Sequence, residues 1–152
     1  KYILYFKYLV IHKWFVLIAG LKLKVPLWQL VVHDYSKLFP SILRAYADSQ
    51  IYGYNYKDWP EKARNRLDWA SWKHTRLEKH HFQNYIVIFD SGCQKALEIP
   101  DNYLRELVSD WQAAGKAKTG KWDAKPWYYK NPNRFLLHPN TRQKLEELLK
   151  KL

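Results

Sequence analysis

Proline and glycine divide this chain into blocks whose apolar residues recur at helical spacing. Proline is tolerated in the first turn of a helix and glycine is favoured just beyond its end, so both residues mark helix boundaries. We therefore expect an all-α protein, mainly a helical bundle. The predicted helical blocks are residues 2–21, 26–39, 40–53, 59–80, 100–115 and 138–152.

One stretch departs from the helical pattern. The sequence YIVIFD, then Ser91-Gly92, then CQKALEI places β-branched residues around a two-residue turn, which predicts one short β-hairpin near residues 85–99. Residues 116–134 show no clear helical period, and we interpret them as an ordered loop with aromatic anchors.

The chain is long enough for one domain with a real core. It has 152 residues, of which 47% are apolar and 17% aromatic, and it shows no internal repeat or linker. A single domain over residues 1–152 is expected. Four tryptophans flanked by apolar residues at helical positions are expected in its core: Trp28, Trp69, Trp72 and Trp111.

The N-terminal stretch and the single cysteine bear on the compartment. Residues 2–23 are strongly apolar, but Lys7, His12 and Lys22 interrupt them before the roughly 18 uncharged residues of a membrane span are reached. We interpret the stretch as a buried helix, with no membrane span. Because Cys93 has no partner for a disulfide, a cytoplasmic setting is expected.

The charge balance favours anionic partners. Twenty-six Lys and Arg against fourteen Asp and Glu give a formal charge of +12, which suits nucleotides, nucleic acid or acidic lipid. The stretch KTGKWDAKPWYYKNPNR alternates basic and aromatic residues and could grip a nucleotide or a nucleic-acid strand; the alternative is an ordered surface loop.

Histidines and aspartates form the candidate metal site. His33 is followed at once by Asp34 on a predicted helix, so an imidazole ligand stands beside a carboxylate that can bridge two ions. Nitrogen and oxygen ligands suit Mn, Fe, Zn, Ni or Co, and the lack of cysteine ligands argues against a closed structural zinc site. The candidate ligands are His12, His33, Asp34, His74, His80, His81 and Asp110.

Spacing supports part of this set, and each member has an alternative role. His74 and His81 are seven residues apart, so they share a face if the helix persists that far, with His80 pointing about one hundred degrees away. Any of these histidines could be a satisfied core or surface residue. Asp34 could cap a helix or turn, and Asp110 could pair with a basic neighbour such as Arg105.

The order of these residues resembles the ligand order of the HD-domain superfamily, helical proteins that bind one or two metals and usually hydrolyse phosphate esters. The stretches HKWFVLIAGLKLKVPLWQLVVHDYSK, HTRLEKHHFQNY, LEIPDNYLRELVSDWQAAGKAKTGKW and LHPNTR resemble DUF5662, a family of bacterial and phage proteins. The HD resemblance implies an HD-like bundle. It also implies a first metal at His12, His33, Asp34 and Asp110, and a second between Asp34, His74 and His80 or His81.

Two further residues are candidates for catalysis. Lys37, near His33, could neutralise a phosphate oxygen, although it could instead be one of many solvated lysines. Glu106, one turn before Asp110, could orient a ligand or relay a proton, and its alternative is an ion pair within its own helix.

The function that the resemblance implies is a metal-dependent phosphohydrolase acting on a nucleotide or another phosphorylated molecule. Two other functions stay open: an HD-type di-iron oxygenase, and a basic nucleic-acid-binding or assembly protein whose His-Asp motif is structural.

Overall fold

The computed structural model describes residues 1–53 and 55–152, and this part of the chain is mainly helical. The expected all-α fold is confirmed. The helices are α1 (Tyr2–Lys22), α2 (Leu27–Val32), α3 (Pro40–Tyr52), α4 (Glu61–Leu77), α5 (Asp101–Thr119), α6 (Ala124–Lys130) and α7 (Pro139–Lys150). Short 3-10 helices lie at Tyr35–Leu38, Tyr56–Asp58, Phe82–Tyr85 and Pro132–Arg134.

Helices α1 and α5 pack along each other and form the centre of the fold. On one side α3 pairs with α4 and also touches α1, while α6 and α7 pack against α5 on the other. The short helix α2 lies against α1 at Gly20, where a Cβ atom would overlap the Leu30 side chain. Glycine thus leaves room for this close approach, and a larger residue would require the Leu30 side chain to shift.

The helix predicted for residues 26–39 is wrong at its centre. Helix α2 ends at Val32, and His33 takes an extended conformation. Asp34 has a positive φ of 61°, a left-handed conformation that Asp tolerates better than most residues, and a 3-10 turn follows. The His-Asp pair therefore lies in a helix break, not on a helix.

Two predicted helix ends are also wrong. Helix α4 stops at Leu77, before the double histidine, and Glu78 is extended. Helix α5 passes through Gly115 and ends at Thr119, followed by Gly120 in the left-handed conformation. A Cβ atom at Gly115 would overlap the Asp123 side chain, so this glycine permits close packing rather than ending the helix. The predicted loop 116–134 contains the end of α5 and all of α6.

The predicted hairpin is confirmed. Strand β1 (Ile86–Ile88) pairs antiparallel with β2 (Gln94–Ala96), with Ile86 opposite Ala96. Its turn is longer than the two residues expected. Residues 90–92 form the loop between Phe89 and Cys93, and Gly92 supplies the positive φ that a three-residue loop requires.

The apolar core lies between α5, α6 and α7. Its fully buried members include Leu104, Leu107, Leu145 and Leu149, and Trp111 packs against them. The other tryptophans expected in the core, Trp28, Trp69 and Trp72, are more than half exposed. On α4 the buried positions belong to Ala63, Ala70 and His74, so Trp69 and Trp72 lie on the outward face.

Helix α1 is apolar on both faces. Its inner face, with Tyr5, Leu9 and Val16, is buried as expected, but its outer face is exposed. By length and composition alone this one helix of the described residues is long and apolar enough to cross a membrane, a test that core helices and signal sequences also pass. About a third of the apolar window is buried within the fold.

Candidate metal centre

Three parts of the chain converge on a buried group of two histidines and two aspartates. Helix α1 supplies His12, the break after α2 supplies His33 and Asp34, and α5 supplies Asp110. His12 Nε2 lies 3.1 Å from both Asp34 Oδ2 and Asp110 Oδ1. His33 Nε2 lies 3.4 Å from Asp34 Oδ2 and 3.5 Å from Asp110 Oδ1. One atom from each residue thus points to a shared centre.

These separations fit a metal ion. Ligand atoms at bonds of about 2.1 Å in a tetrahedron lie about 3.4 Å apart, close to the distances found here. Within the described chain, the Nε2 atoms of His12 and His33 are buried without a hydrogen-bond partner, which is costly unless another group binds them. This cluster, which we call the first cluster (His12, His33, Asp34 and Asp110), could hold a metal ion.

Glu106 fixes the orientation of His33. Its Oε1 accepts from His33 Nδ1 at 2.9 Å, so in the neutral ring the lone pair would be on Nε2, which faces the first cluster. Gln29 Nε2 donates to Glu106 Oε2 at 2.8 Å, and Asn102 Nδ2 donates to Gln29 Oε1 at 2.9 Å. A carboxylate behind a histidine ligand is a common support in metal sites because it sets the tautomer and raises the basicity of the imidazole.

A second cluster (Asp34, His74 and His81) adjoins the first. His74 Nε2 lies 3.4 Å from Asp34 Oδ1 and 3.0 Å from His81 Nε2. His74 Nδ1 is 2.7 Å from Ser36 Oγ, which holds the ring in place. The two oxygens of Asp34 therefore face different clusters, Oδ2 the first and Oδ1 the second.

His80 lies between the two clusters. Its ring centroid is 4.5 Å from that of His33 and 4.2 Å from that of His81, and its Nδ1 is 3.3 Å from Glu106 Oε1. Its Nε2 is buried and unpartnered among the described residues. By geometry His80 could share an ion with His81 and Asp110, or with His33 and Glu106.

The first cluster is strongly charged. Burial alone would lower the pKa of His33, but the charge of Asp34 and the contacts with Asp110 and Glu106 raise it to about 10. Burial would raise the pKa of Asp34, yet His33 and Lys37 hold it well below its usual value. The carboxylates are thus ionised, and without a metal His33 is protonated at neutral pH.

The histidines of the second cluster are neutral. Burial, and then the charge of Lys37, lowers the pKa of His74 to about 3. Burial and the neighbouring histidines hold the pKa of His81 well below its usual value. Neutral imidazole is the form that binds metals, so these side chains need lose no proton to become ligands.

Lys37 connects the clusters to a cavity of about 410 Å³. Its ammonium lies 2.7 Å from Asp34 Oδ2 and 5.7 Å from the centre of the Tyr46 ring. The Asp34 charge outweighs burial and raises the pKa of Lys37, so its positive charge is secure. The cavity wall also carries Lys118 and Arg134, both from the basic and aromatic stretch noted in the sequence.

The structure brings all nine predicted site residues into this region. Asp110 faces His12 and His33 rather than Arg105, and Glu106 bonds His33 rather than a basic residue of its own helix. Sequence reasoning missed the supporting residues Gln29, Ser36 and Asn102. Gln29 precedes His33 by four residues, a spacing that would place both on one face of the helix predicted there. Nothing in the sequence pointed to Ser36 or Asn102.

The chain belongs to DUF5662, a family of unknown function, whose model matches residues 1–151. Searches of curated proteins and of solved structures find no match to it.

Proposed function

We propose that the protein is a metal-dependent phosphohydrolase acting on a nucleotide or another phosphorylated small molecule. The observation that carries this proposal is the first cluster, whose buried, unpartnered imidazole nitrogens point to a shared centre beside a cavity walled by cations. The resemblance of the ligand order to HD-domain phosphohydrolases supports the reaction class. Fold-level analogy does not establish a reaction, and the proposal therefore depends on the site itself.

In this proposal the first cluster holds a divalent ion. Two imidazoles and two carboxylates suit Zn, Mn, Fe, Co or Ni better than softer metals. Such an ion supplies Lewis acidity and a source of hydroxide near neutral pH. Glu106 keeps His33 in the tautomer that offers Nε2, and so acts through a ligand rather than on the substrate.

The cations of the cavity give the substrate preference. Lys37, Lys118 and Arg134 line the same cavity as His12 and Asp110, so a phosphoryl group beside the first cluster has positive charge on its other sides. Trp111 and Trp127 also line this cavity and offer apolar area for the rest of the substrate. A phosphomonoester with a planar organic group suits such a lining.

A second ion belongs to the same proposal. Asp34 directs Oδ1 to His74 and Oδ2 to the first cluster, the arrangement that a bridging carboxylate needs. His74 and His81, both neutral, would complete the second position. Because paired ions on histidine and carboxylate ligands also serve di-iron oxygenases, oxygen activation is the second candidate, and substrate-dependent oxygen consumption would identify it.

The test is metal analysis joined to an activity assay. Protein purified without chelator should carry one or two transition-metal ions per chain and hydrolyse p-nitrophenyl phosphate or nucleoside monophosphates. Asp34→Asn, which preserves side-chain volume, should lose both the metal and the activity. The matched control Asp101→Asn changes an exposed carboxylate outside the cavity and should keep both. Metal-free wild-type protein, or equal loss in the control, contradicts the proposal.

A further inference from the structure

The outer face of α1 is an apolar stripe, interrupted at Lys7, with nothing packed on it in the described fold. Ile3 is 85% exposed, Val10 68% and Trp14 60%, and Leu21 continues the stripe at the end of the helix. These residues recur at helical spacing on the side opposite His12. With a rise of 1.5 Å per residue, the stripe is about 30 Å long. A surface of this size marks an interaction site.

The short helix α2 extends this apolar surface. Trp28, Val31 and Val32 are exposed on it. Lys13 joins the two helices, because its ammonium donates to the carbonyls of Val31 and His33 at 3.2 and 2.6 Å. These bonds hold the end of α2 against α1 at the level of Lys13, one residue before Trp14. Each of the two helices carries an exposed tryptophan, Trp14 and Trp28, and tryptophan is enriched in segments at the boundary between lipid and water.

The charged side chains of the segment that carries this surface have one sign, although Lys1 is paired with Asp48. The first 33 residues contain five lysines and no aspartate or glutamate, and the first acidic residue, Asp34, is buried in the metal centre. Lys7 stands on the stripe itself, and Lys22 and Lys24 are exposed at its end. A second copy of the chain placed on this face would bring lysines against lysines at a formal charge of +12 on each side.

We propose that the outer face of α1, with the exposed residues of α2, docks on the surface of an anionic lipid bilayer. The helix would lie in the plane of the interface, with its apolar stripe among the acyl chains and its lysines near the headgroup charges. It would not span the bilayer, because its inner face holds His12 against Asp34 and Asp110. The proposal is independent of the reaction at the metal centre.

Sedimentation with large unilamellar vesicles tests this docking. The full chain should bind vesicles in which about one third of the lipid is phosphatidylglycerol, and should bind pure phosphatidylcholine at least about tenfold more weakly. Binding to the anionic vesicles should weaken as salt is raised, because lysines near the surface are screened. Trp14→Glu should weaken it by about tenfold or more, since it places a negative charge in the stripe.

The matched control is Trp69→Glu, which makes the same change at a tryptophan of α4 that is 65% exposed. It should bind as wild type does, and circular dichroism of both variants should show unchanged helix content. Absence of binding to anionic vesicles, or equal weakening in the control, overturns the proposal. So does a stable wild-type dimer in solution that Trp14→Glu converts to monomer, because a second copy then covers this face.

Discussion

The two sides of helix α5 differ in what they bury. One side places Leu104 and Leu107 in the apolar core with Leu145 and Leu149 of α7. The other side places Glu106 and Asp110 among the buried histidines of the candidate metal centre. Residues 106 and 107 are neighbours in sequence, yet the first is ionised and hydrogen-bonded while the second is fully buried among leucines.

The apolar side and the polar side of α5 differ in what their burial contributes to the stability of the fold. Apolar burial stabilises a fold by roughly 25 cal/mol per Å² without needing a ligand. Buried charges instead lose several kcal/mol of hydration each, which only well-placed partners recover. A fold that needed stability alone would not place three carboxylates and five histidines at its centre. The polar side of α5 therefore carries the candidate site, and the apolar side supplies the packing that supports it.

The largest expected effect is on the polar side. Asp34→Ala should lower the free energy of unfolding of the metal-free protein by about 3–5 kcal/mol, because buried Lys37 loses its counter-charge and protonated His33 loses the charge that most raises its pKa. Urea unfolding in chelator measures this. The exposed carboxylate variant Asp101→Ala should change little. An unfolding midpoint unaffected by Asp34→Ala would mean that the cluster charges are not balanced by this residue.

On the apolar side, Leu145→Ala should lower the free energy of unfolding by about 3 kcal/mol, because it leaves a cavity between α5 and α7. The loss should be the same with and without metal, since Leu145 lies on the far side of α5 from the ligands. Parallel urea titrations of the metal-loaded and metal-free variant decide this. A metal-dependent loss would show that the two sides of α5 are coupled.

A smaller effect should follow from changing the support of the site while keeping its ligands. Glu106→Gln preserves size but removes the charge that accepts from His33 Nδ1, so metal affinity should fall about 10- to 100-fold. Competition with a chromophoric chelator measures the change. Glu61→Gln, at an exposed position in the first turn of α4, is the matched control. Equal metal affinities in the wild type and Glu106→Gln would mean that Glu106 does not support metal binding.

The most gradual effect is the pH dependence. Without metal, the raised pKa of His33 contributes stability that is complete below its ordinary value of 6.5 and is lost as pH rises toward about 10. Metal binding requires neutral imidazole, so His33 has no proton to lose in the metal-loaded protein. The stability of that form therefore does not fall in this way as pH rises. The difference in unfolding free energy between the two forms should widen by up to about 1.4 kcal/mol per pH unit in that window.

At acidic pH, the change of stability with pH has the opposite sign. Contacts with His33 and His80 outweigh burial and lower the pKa of Glu106 to about 2, so its contribution to stability is complete above pH 4.5 and is lost as pH falls through 2.

Unfolding curves from pH 6 to 10, with and without metal, test the prediction for His33 at alkaline pH. Parallel curves that never diverge would mean that His33 is neutral in the metal-free fold.

The sequence by itself determined the helical class and the hairpin, and it predicted nine candidate site residues that the fold brings together. Periodicity and proline placement are local, so they located α1, α3 and α7 well. They failed where packing overrides propensity. Gly115 lies within α5, where its missing side chain leaves room for Asp123, and Trp69 lies outside because smaller residues occupy the inner face of α4.

Only the tertiary structure decided how the site is assembled. The break at His33 and Asp34, and the turn after Leu77 that returns His81 to His74, depend on contacts that no local pattern encodes. Glu106 and His33 are 73 positions apart and meet because α1 packs along α5 while α2, which precedes His33, lies against α1. Ligand identity is a property of single residues, whereas ligand geometry depends on packing between distant segments, and so it appears only in the fold.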